Sequence, residues 1–234
     1  LYELVFDGNN KWMLSANGTL FTYDYEAIIP GLLKRWYEER QEMQRKMREC
    51  GDNEIEREYW DKRQLVKKIN LNSLYGAILN PGCRFFDMRI GQSVTLTGRC
   101  ITQHMASKVN EVVTGEYDHK GESIVYGDTD SVYFSAFKTL QKEIKEGVIP
   151  WTKDSVVALY DKIADEVNSS FKSFMTKAFH TPSTRGEVIA AGRELVASKG
   201  LFITKKRYAV LYYDKEGKRA DVEGKDGKMK AMGL

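Results

Sequence analysis

Apolar residues at Leu32, Leu33, Trp36, Tyr37, Met43 and Met47 recur near helical spacing with charges between them, and no Gly or Pro follows Gly31 before Cys50. That pattern predicts a helix running to Cys50. Gly51-Asp52-Asn53 then stops and turns the chain. A second long helix is expected from about Glu54 to Leu79, where Asn80-Pro81-Gly82 ends it because proline cannot continue the ladder. Two long helices joined by a tight turn make an antiparallel hairpin, polar over much of its surface, expected to project from a domain body. Ahead of it, Asn17-Gly18 between Leu14 and Leu20-Phe21-Thr22-Tyr23 predicts a β-hairpin on a turn dipeptide. Beyond it, a third helix is expected over Val94 to about Val113 and a fourth over about Ser155 to Phe179. Ser123–Tyr126 and Ser131–Ser135 read as strands flanking Gly127-Asp128-Thr129-Asp130, and Tyr208–Tyr213 as a strand before the turn Asp214–Gly217. The fold class is α+β: an antiparallel sheet with helices on one side, plus the two-helix projection.

Composition narrows the classes. With 42% hydrophobic and 12% aromatic residues, the 234-residue chain has material for an ordinary core and is not disordered. No apolar run approaches the ~20 residues of a membrane span, so no membrane association is expected. Thirty-six basic against 33 acidic side chains leave a net charge of +3. The balance shifts along the chain: from Arg185 onwards twelve Lys/Arg face seven Asp/Glu. Cys50, Cys83 and Cys100 are too few and scattered for a disulfide scaffold or a zinc site, and His104, His119 and His180 show no ligand spacing. A reduced, cytoplasmic setting is expected. Leu1 carries neither an initiator Met nor a signal-peptide pattern after it, which points to a piece of a longer chain.

The sharpest local feature is Tyr126-Gly127-Asp128-Thr129-Asp130-Ser131. Asp and Gly are depleted from strand interiors, so two carboxylates in a strand–turn–strand unit need a reason. A plain hydrogen-bonded turn is one. A hard-cation site is the other, since Mg²⁺ takes one or two carboxylates plus substrate phosphates and water. A pair of such ions can stabilise both oxygens of an in-line displacement at phosphorus. Glycosyltransferases also place a D-x-D at a strand end, so the turn by itself leaves both chemistries open.

On the second long helix, Lys68, Asn72, Tyr75 and Gly76 fall at i, i+4, i+7 and i+8 and share one face. A cation, an amide, an aromatic ring and a residue without a side chain make a poor core stripe and a good nucleotide wall. Lysine meets a triphosphate as a point charge, and glycine lets a base pair approach the backbone. A solvated face with one buried tyrosine is the plainer alternative.

The two motifs together, K-x-x-x-N-S-x-Y-G on a helix and Y-G-D-T-D-S in a hairpin fifty residues on from Gly76, resemble the family B (polymerase α-like) DNA polymerases. Arg84-Phe-Phe-Asp-Met-Arg89 and the Asn17-Gly18 hairpin look most like the T-even-type bacteriophage replicative members of that family. The resemblance implies a palm over residues 1–29 and 81–234, the latter ending at the thumb junction, and fingers over 30–80. It implies a template-directed transfer of dNTPs to a primer 3′-OH with two Mg²⁺ ions, on primer–template DNA. Asp130 and Asp128 are implied as the catalytic, metal-holding acids, with Glu187 as a further palm acid. Arg40, Lys68 and Asn72 are implied at the triphosphate, and Tyr75 and Gly76 at the nascent base pair. Lys205, Lys206, Arg207 and Tyr208, within Thr204-Lys-Lys-Arg-Tyr208, resemble the primer-strand element, and Lys228–Leu234 resembles the entry to the thumb.

The chain departs from the pattern in two ways. Gln44, followed by Arg45, stands where a second fingers lysine is usual. The D-x-x-S-L-Y-P-S motif with the other metal-bridging aspartate is absent, as are exonuclease motifs and a thumb. The missing segments are expected in cis or on a second chain, and the chain alone is expected to be inactive. A non-catalytic nucleic-acid-binding or assembly module, and less readily a D-x-D nucleotide-sugar transferase, are the rival readings.

Overall fold

Asn17-Gly18 folds as the dipeptide predicts. In the computed structural model, which describes residues 11–234 apart from Glu223 and Leu234, β1 (Trp12–Leu14) pairs antiparallel with β2 (Leu20–Thr22). The Ser15 carbonyl accepts from the Gly18 N–H at 2.9 Å, and Gly18 takes φ +83°, a region open to glycine without a Cβ clash. Residues 1–10 of the expected N-terminal palm segment, and Leu234 of the expected thumb entry, lie outside the described residues. Chain contacts define two compact units, Leu1–Leu96 and Thr97–Leu234.

In the first unit, α1 (Ile28–Glu49) carries Pro30 in its opening turn, where no backbone N–H is needed. The second helix, α2 (Glu54–Ile78), starts at Asn53, whose side chain accepts from the Glu56 N–H. The two helices pack on each other along a polar seam. No residue of α1 is buried, and on α2 only Ile78 is. Glu39 pairs with Lys67, whose ammonium lies 5.7 Å from the Trp36 ring centre; Lys46 sits 4.6 Å over Trp60. Partly exposed contacts of this kind contribute roughly 1 kcal/mol or less apiece.

The third helix, α3 (Met88–Thr114), begins six residues earlier than the periodicity predicted. Asp87 is the reason: its carboxylate accepts from the Arg89 N–H at 2.9 Å and so caps the helix. The Arg89 guanidinium, with that N–H, pulls the Asp87 carboxyl down to about 2. The boundary between the two units falls inside this helix.

The second unit is organised by α5 (Lys153–Phe179), preceded by β3 (Ile124–Asp128), β4 (Ser131–Phe134) and the short α4 (Gln141–Lys145). Ile163, Val167, Phe171, Met175 and Phe179 form a stripe of every fourth residue, all buried. Val109 joins Ile163, Val167 and Phe171 in the main core, with Ile124 and Phe134 of the β3–β4 pair against it. After α6 (Ser183–Gly186) comes an antiparallel sheet of β5 (Leu195–Thr204), β6 (Arg207–Lys215), β7 (Lys218–Arg219) and β8 (Lys228–Met232), with β6 central. Val196 of β5 and Tyr213 of β6 pack on Val156 of α5. The expected strand Tyr208–Tyr213 lies within β6. Its partner β5 was not legible, because Ser198-Lys199-Gly200 breaks the alternation and three register irregularities interrupt the pairing. The chain is thus α+β, and every strand pair among the described residues is antiparallel.

Two buried polar side chains of this unit, Asn110 and His104, are hydrogen-bonded. Asn110, 1% exposed, accepts from the Ser123 N–H and hydroxyl and donates to the Glu116 carbonyl. His104 stacks on Phe174 at 3.9 Å, with Tyr117 Oη 2.7 Å from Nδ1 and Ser170 Oγ 2.9 Å from Nε2. The Ser170 hydroxyl already donates to the Val167 carbonyl at 2.6 Å, so it accepts from Nε2–H, and Nδ1 accepts from Tyr117. His104 is therefore a neutral, structural histidine, and burial lowers its pKa from the ordinary 6.5. The unfolded chain then binds this proton more readily than the folded one. Stability from this group is complete above pH 6.5 and is lost as pH falls from there through the lowered folded value. A His104→Phe chain is expected to lack that loss. The check is the urea midpoint of both chains between pH 7 and pH 5, where wild type should fall relative to the variant.

Candidate active site

The acidic turn is a two-residue hairpin. Asp128 ends β3 and pairs with Ser131, which leaves Thr129 and Asp130 at the tip. Thr129 has φ +32°, a conformation unusual for a β-branched residue. Its hydroxyl donates to the Asp128 carboxylate at 3.2 Å, and its carbonyl accepts from the Thr102 hydroxyl of α3 at 2.9 Å. Asp130 is exposed, and no side chain of the described residues bonds its carboxylate. Gly127 is not demanded by the chain's own packing, since a Cβ there would meet only the Ser131 carbonyl at an ordinary 3.5 Å.

The basic element stands beside this turn. Lys205 and Lys206 form the tip of the β5–β6 hairpin, with Lys206 at φ +63° and with Lys205, Lys206 and Arg207 all exposed. Below the tip, Phe202 and Tyr208 pack against Tyr126 and Tyr133 of the acidic hairpin, with ring centres 5.3–5.9 Å apart. Two hydrogen bonds clamp the hairpins together: Tyr133 donates to the Tyr208 hydroxyl at 3.0 Å, and the Lys206 N–H donates to the Tyr126 hydroxyl at 2.8 Å. Burial, and then the bond to Tyr208, push the Tyr133 hydroxyl well above the usual phenol range. Asp128 lies two residues from Tyr126 on one strand and so projects from the same face as this aromatic floor. Tyr208, only 6% exposed, is an anchor of that floor, while the three cations above it face outward. The aromatic clamp was missed by sequence reasoning, although the spacing of Tyr126 and Tyr133 around a two-residue tip could have signalled it.

Glu187 follows α6 and pairs with Lys172 of α5 at 2.6 Å. Among the described residues, no three His, Cys, Asp or Glu side chains come together as a metal-holding group.

In the first unit the structure separates two adjacent lysines. Lys67 faces α1 through Glu39 and Trp36, whereas Lys68 is exposed and no described residue pairs with it. Asn72 and Gly76 share its exposed face, and Tyr75, half-buried, donates to the Gly91 carbonyl at 3.4 Å. A glycine within a helix costs about 1 kcal/mol against alanine, yet nothing lies within 4 Å of where a Gly76 Cβ would sit. Arg40 donates to Gln64 at 3.2 Å. Arg45 is held by Glu42 and Glu49 of its own helix at 2.6 and 2.8 Å.

The family model for DNA polymerase family B matches residues 8–231. The chain belongs to DNA polymerase family B. It is 35% identical to the DNA-directed DNA polymerase of Escherichia phage RB69 over 73% of this chain and 19% of that one. It is 29% identical to DNA polymerase 1 of Pyrococcus abyssi over 86% of this chain and 21% of the other. With the DNA-directed DNA polymerase of Enterobacteria phage T4 the identity is 32%, over 67% and 18%. The structure of the family B DNA polymerase from Pyrobaculum calidifontis aligns with 95% of this chain and 22% of its own at TM-score 0.49 and 21% identity. This family B chain therefore spans about a fifth of the length of the curated relatives it matches.

Proposed function

We propose that this chain is the palm-and-fingers portion of a template-directed DNA polymerase, in which a primer 3′-OH attacks the α-phosphorus of a dNTP and pyrophosphate leaves. The observation that supports this most is the clamping of an acidic hairpin tip to a basic one over a shared aromatic floor. One tip offers carboxylates to a cation, and the other offers outward-facing cations to a phosphate backbone. Residues 1–29 and 81–234 then make up the palm portion and residues 30–80 the fingers.

Two carboxylates at a hairpin tip suit a hard divalent cation whose remaining ligands are phosphate and water oxygens. Asp130 and Asp128 hold Mg²⁺ in this reading, and the bound metal supplies charge neutralisation at the reacting phosphates. They are too few for two ions, and Glu187, held by Lys172, stands as a supporting acid only if that pair opens. Lys68 and Asn72 receive the triphosphate, with Arg40 once it leaves Gln64. Tyr75 and the bare backbone at Gly76 face the nascent base pair; an uncompensated helix glycine is reasonable where another molecule must come close. Lys205, Lys206 and Arg207 bind primer phosphates, with Tyr208 holding their hairpin in place.

The test is primer extension. The 234-residue chain alone is expected to incorporate little or nothing, and the complete polypeptide, with the upstream acid, to extend the primer. Extension by the isolated chain that Asp130→Ala abolishes overturns the account of the missing acid. In DNA binding measured from 50 to 200 mM salt, Lys205→Ala or Arg207→Ala is each expected to lower the slope of log affinity against log salt by about one, the loss of one phosphate contact.

The two-acid count also suits a module that binds nucleic acid or assembles without catalysis. That reading predicts DNA binding by the isolated chain and no incorporation by the complete polypeptide. A D-x-D nucleotide-sugar transferase needs alternating parallel strands and helices, and the described strands pair only antiparallel.

A further inference from the structure

We infer that Thr102 is a positioning residue for the Asp130 carboxylate, an inference that rests on reading Asp130 as a metal-holding acid. The Thr102 hydroxyl, on α3, reaches across 27 residues of sequence to the Thr129 carbonyl at 2.9 Å. Its other acceptor, the Gly98 carbonyl of its own helix, is 3.1 Å away. A threonine hydroxyl within a helix ordinarily bonds back to that helix alone, and here the shorter distance is to the turn. The carbonyl it holds belongs to the peptide joining Thr129 to Asp130. That peptide is planar, so pinning its oxygen also fixes the Asp130 N–H and the axis about which Asp130 turns.

Thr129 needs such a hold. Its φ of +32° is a strained conformation for a β-branched residue, maintained only where surrounding structure imposes it. Once held, its own hydroxyl donates to the Asp128 carboxylate at 3.2 Å. A single contact from the helix thus orders both acids: Asp130 through the peptide plane, and Asp128 through the Thr129 hydroxyl. Asp130 has no side-chain partner of its own among the described residues, so its direction depends on the backbone beneath it. Thr102 touches neither substrate nor metal in this arrangement and acts only through Thr129.

Thr102→Val keeps the shape and removes the donor. In the complete polymerase it is expected to speed deuterium uptake several-fold in the peptide covering Tyr126–Val132. It is also expected to raise the Mg²⁺ concentration for half-maximal incorporation threefold or more, with DNA affinity unchanged. Thr102→Ser, which keeps the hydroxyl, should restore both, and Thr102→Ala replaces the valine variant if that one does not fold. Wild-type uptake and wild-type Mg²⁺ dependence in a folded variant without the hydroxyl overturn the inference, as does equal disturbance by the serine variant. Normal incorporation by Asp130→Ala overturns the reading of the acid itself, independently of what the uptake shows about the turn.

Discussion

Replacing Asp130 with alanine in the complete polymerase is expected to cut dNTP incorporation by roughly 10³-fold or more, a loss of about 4 kcal/mol of transition-state stabilisation. The effect is large because, in this reading, Asp130 is one of only two acids at the tip, and no third His, Cys, Asp or Glu among the described residues joins them. DNA affinity should be almost unchanged. The exposed cations proposed to meet primer phosphates lie on the other hairpin, and the aromatic clamp between the two does not involve Asp130. Single-turnover incorporation and a DNA-binding isotherm on the same preparation separate the two quantities. A variant that loses DNA binding and synthesis together would show that Asp130 holds the fold of the tip rather than the chemistry. Asp128→Ala should cost less, because Asp128 is partly occupied by the Thr129 hydroxyl and ends a paired strand.

The second large effect is expected at Lys68. An exposed ammonium with no partner among the described residues has no structural role there to lose, so Lys68→Ala should leave stability unchanged and lower kcat/KM for dNTP by roughly 10- to 100-fold, the usual worth of one hydrogen bond to a charged group. Lys67→Ala should do the reverse. It removes the ion pair to Glu39 and the cation over Trp36, and so weakens the seam between α1 and α2 while dNTP use changes little. Steady-state kinetics against dNTP concentration and a thermal melt of both variants decide the matter. Unaltered dNTP kinetics in Lys68→Ala removes the triphosphate assignment. The grip is expected to be weaker than in a relative with lysine at position 44, because Arg45, the neighbouring cation, is engaged by Glu42 and Glu49, which raise its pKa further.

Much of this chain is written locally. The helices α1, α2 and α5 follow from apolar spacing and from punctuation by Gly, Pro and Asn, all of which act over a few residues. The acidic tip follows from Gly127-Asp128-Thr129-Asp130 between two β-rich runs, and the family from two motifs in order. Where a boundary was misplaced, as at Met88, the Asp87 side-chain cap, seven residues upstream of the visible periodicity, had the deciding energy. Strand β5 escaped because its register depends on bulges and on β6, which no local pattern encodes.

The amino-acid order by itself therefore determined α1, α2 and α5, the acidic hairpin and the family, since each is settled by contacts between near neighbours or by a contiguous motif. Only the tertiary structure decided which of two adjacent lysines faces outward, that Tyr208 is an anchor beneath the basic tip, and that Thr102 reaches the acidic turn. Those three depend on pairings between residues 27 to 75 positions apart. Such contacts are set by how whole elements pack, which hydrophobic burial and hydrogen-bond satisfaction select together and no short window of sequence contains.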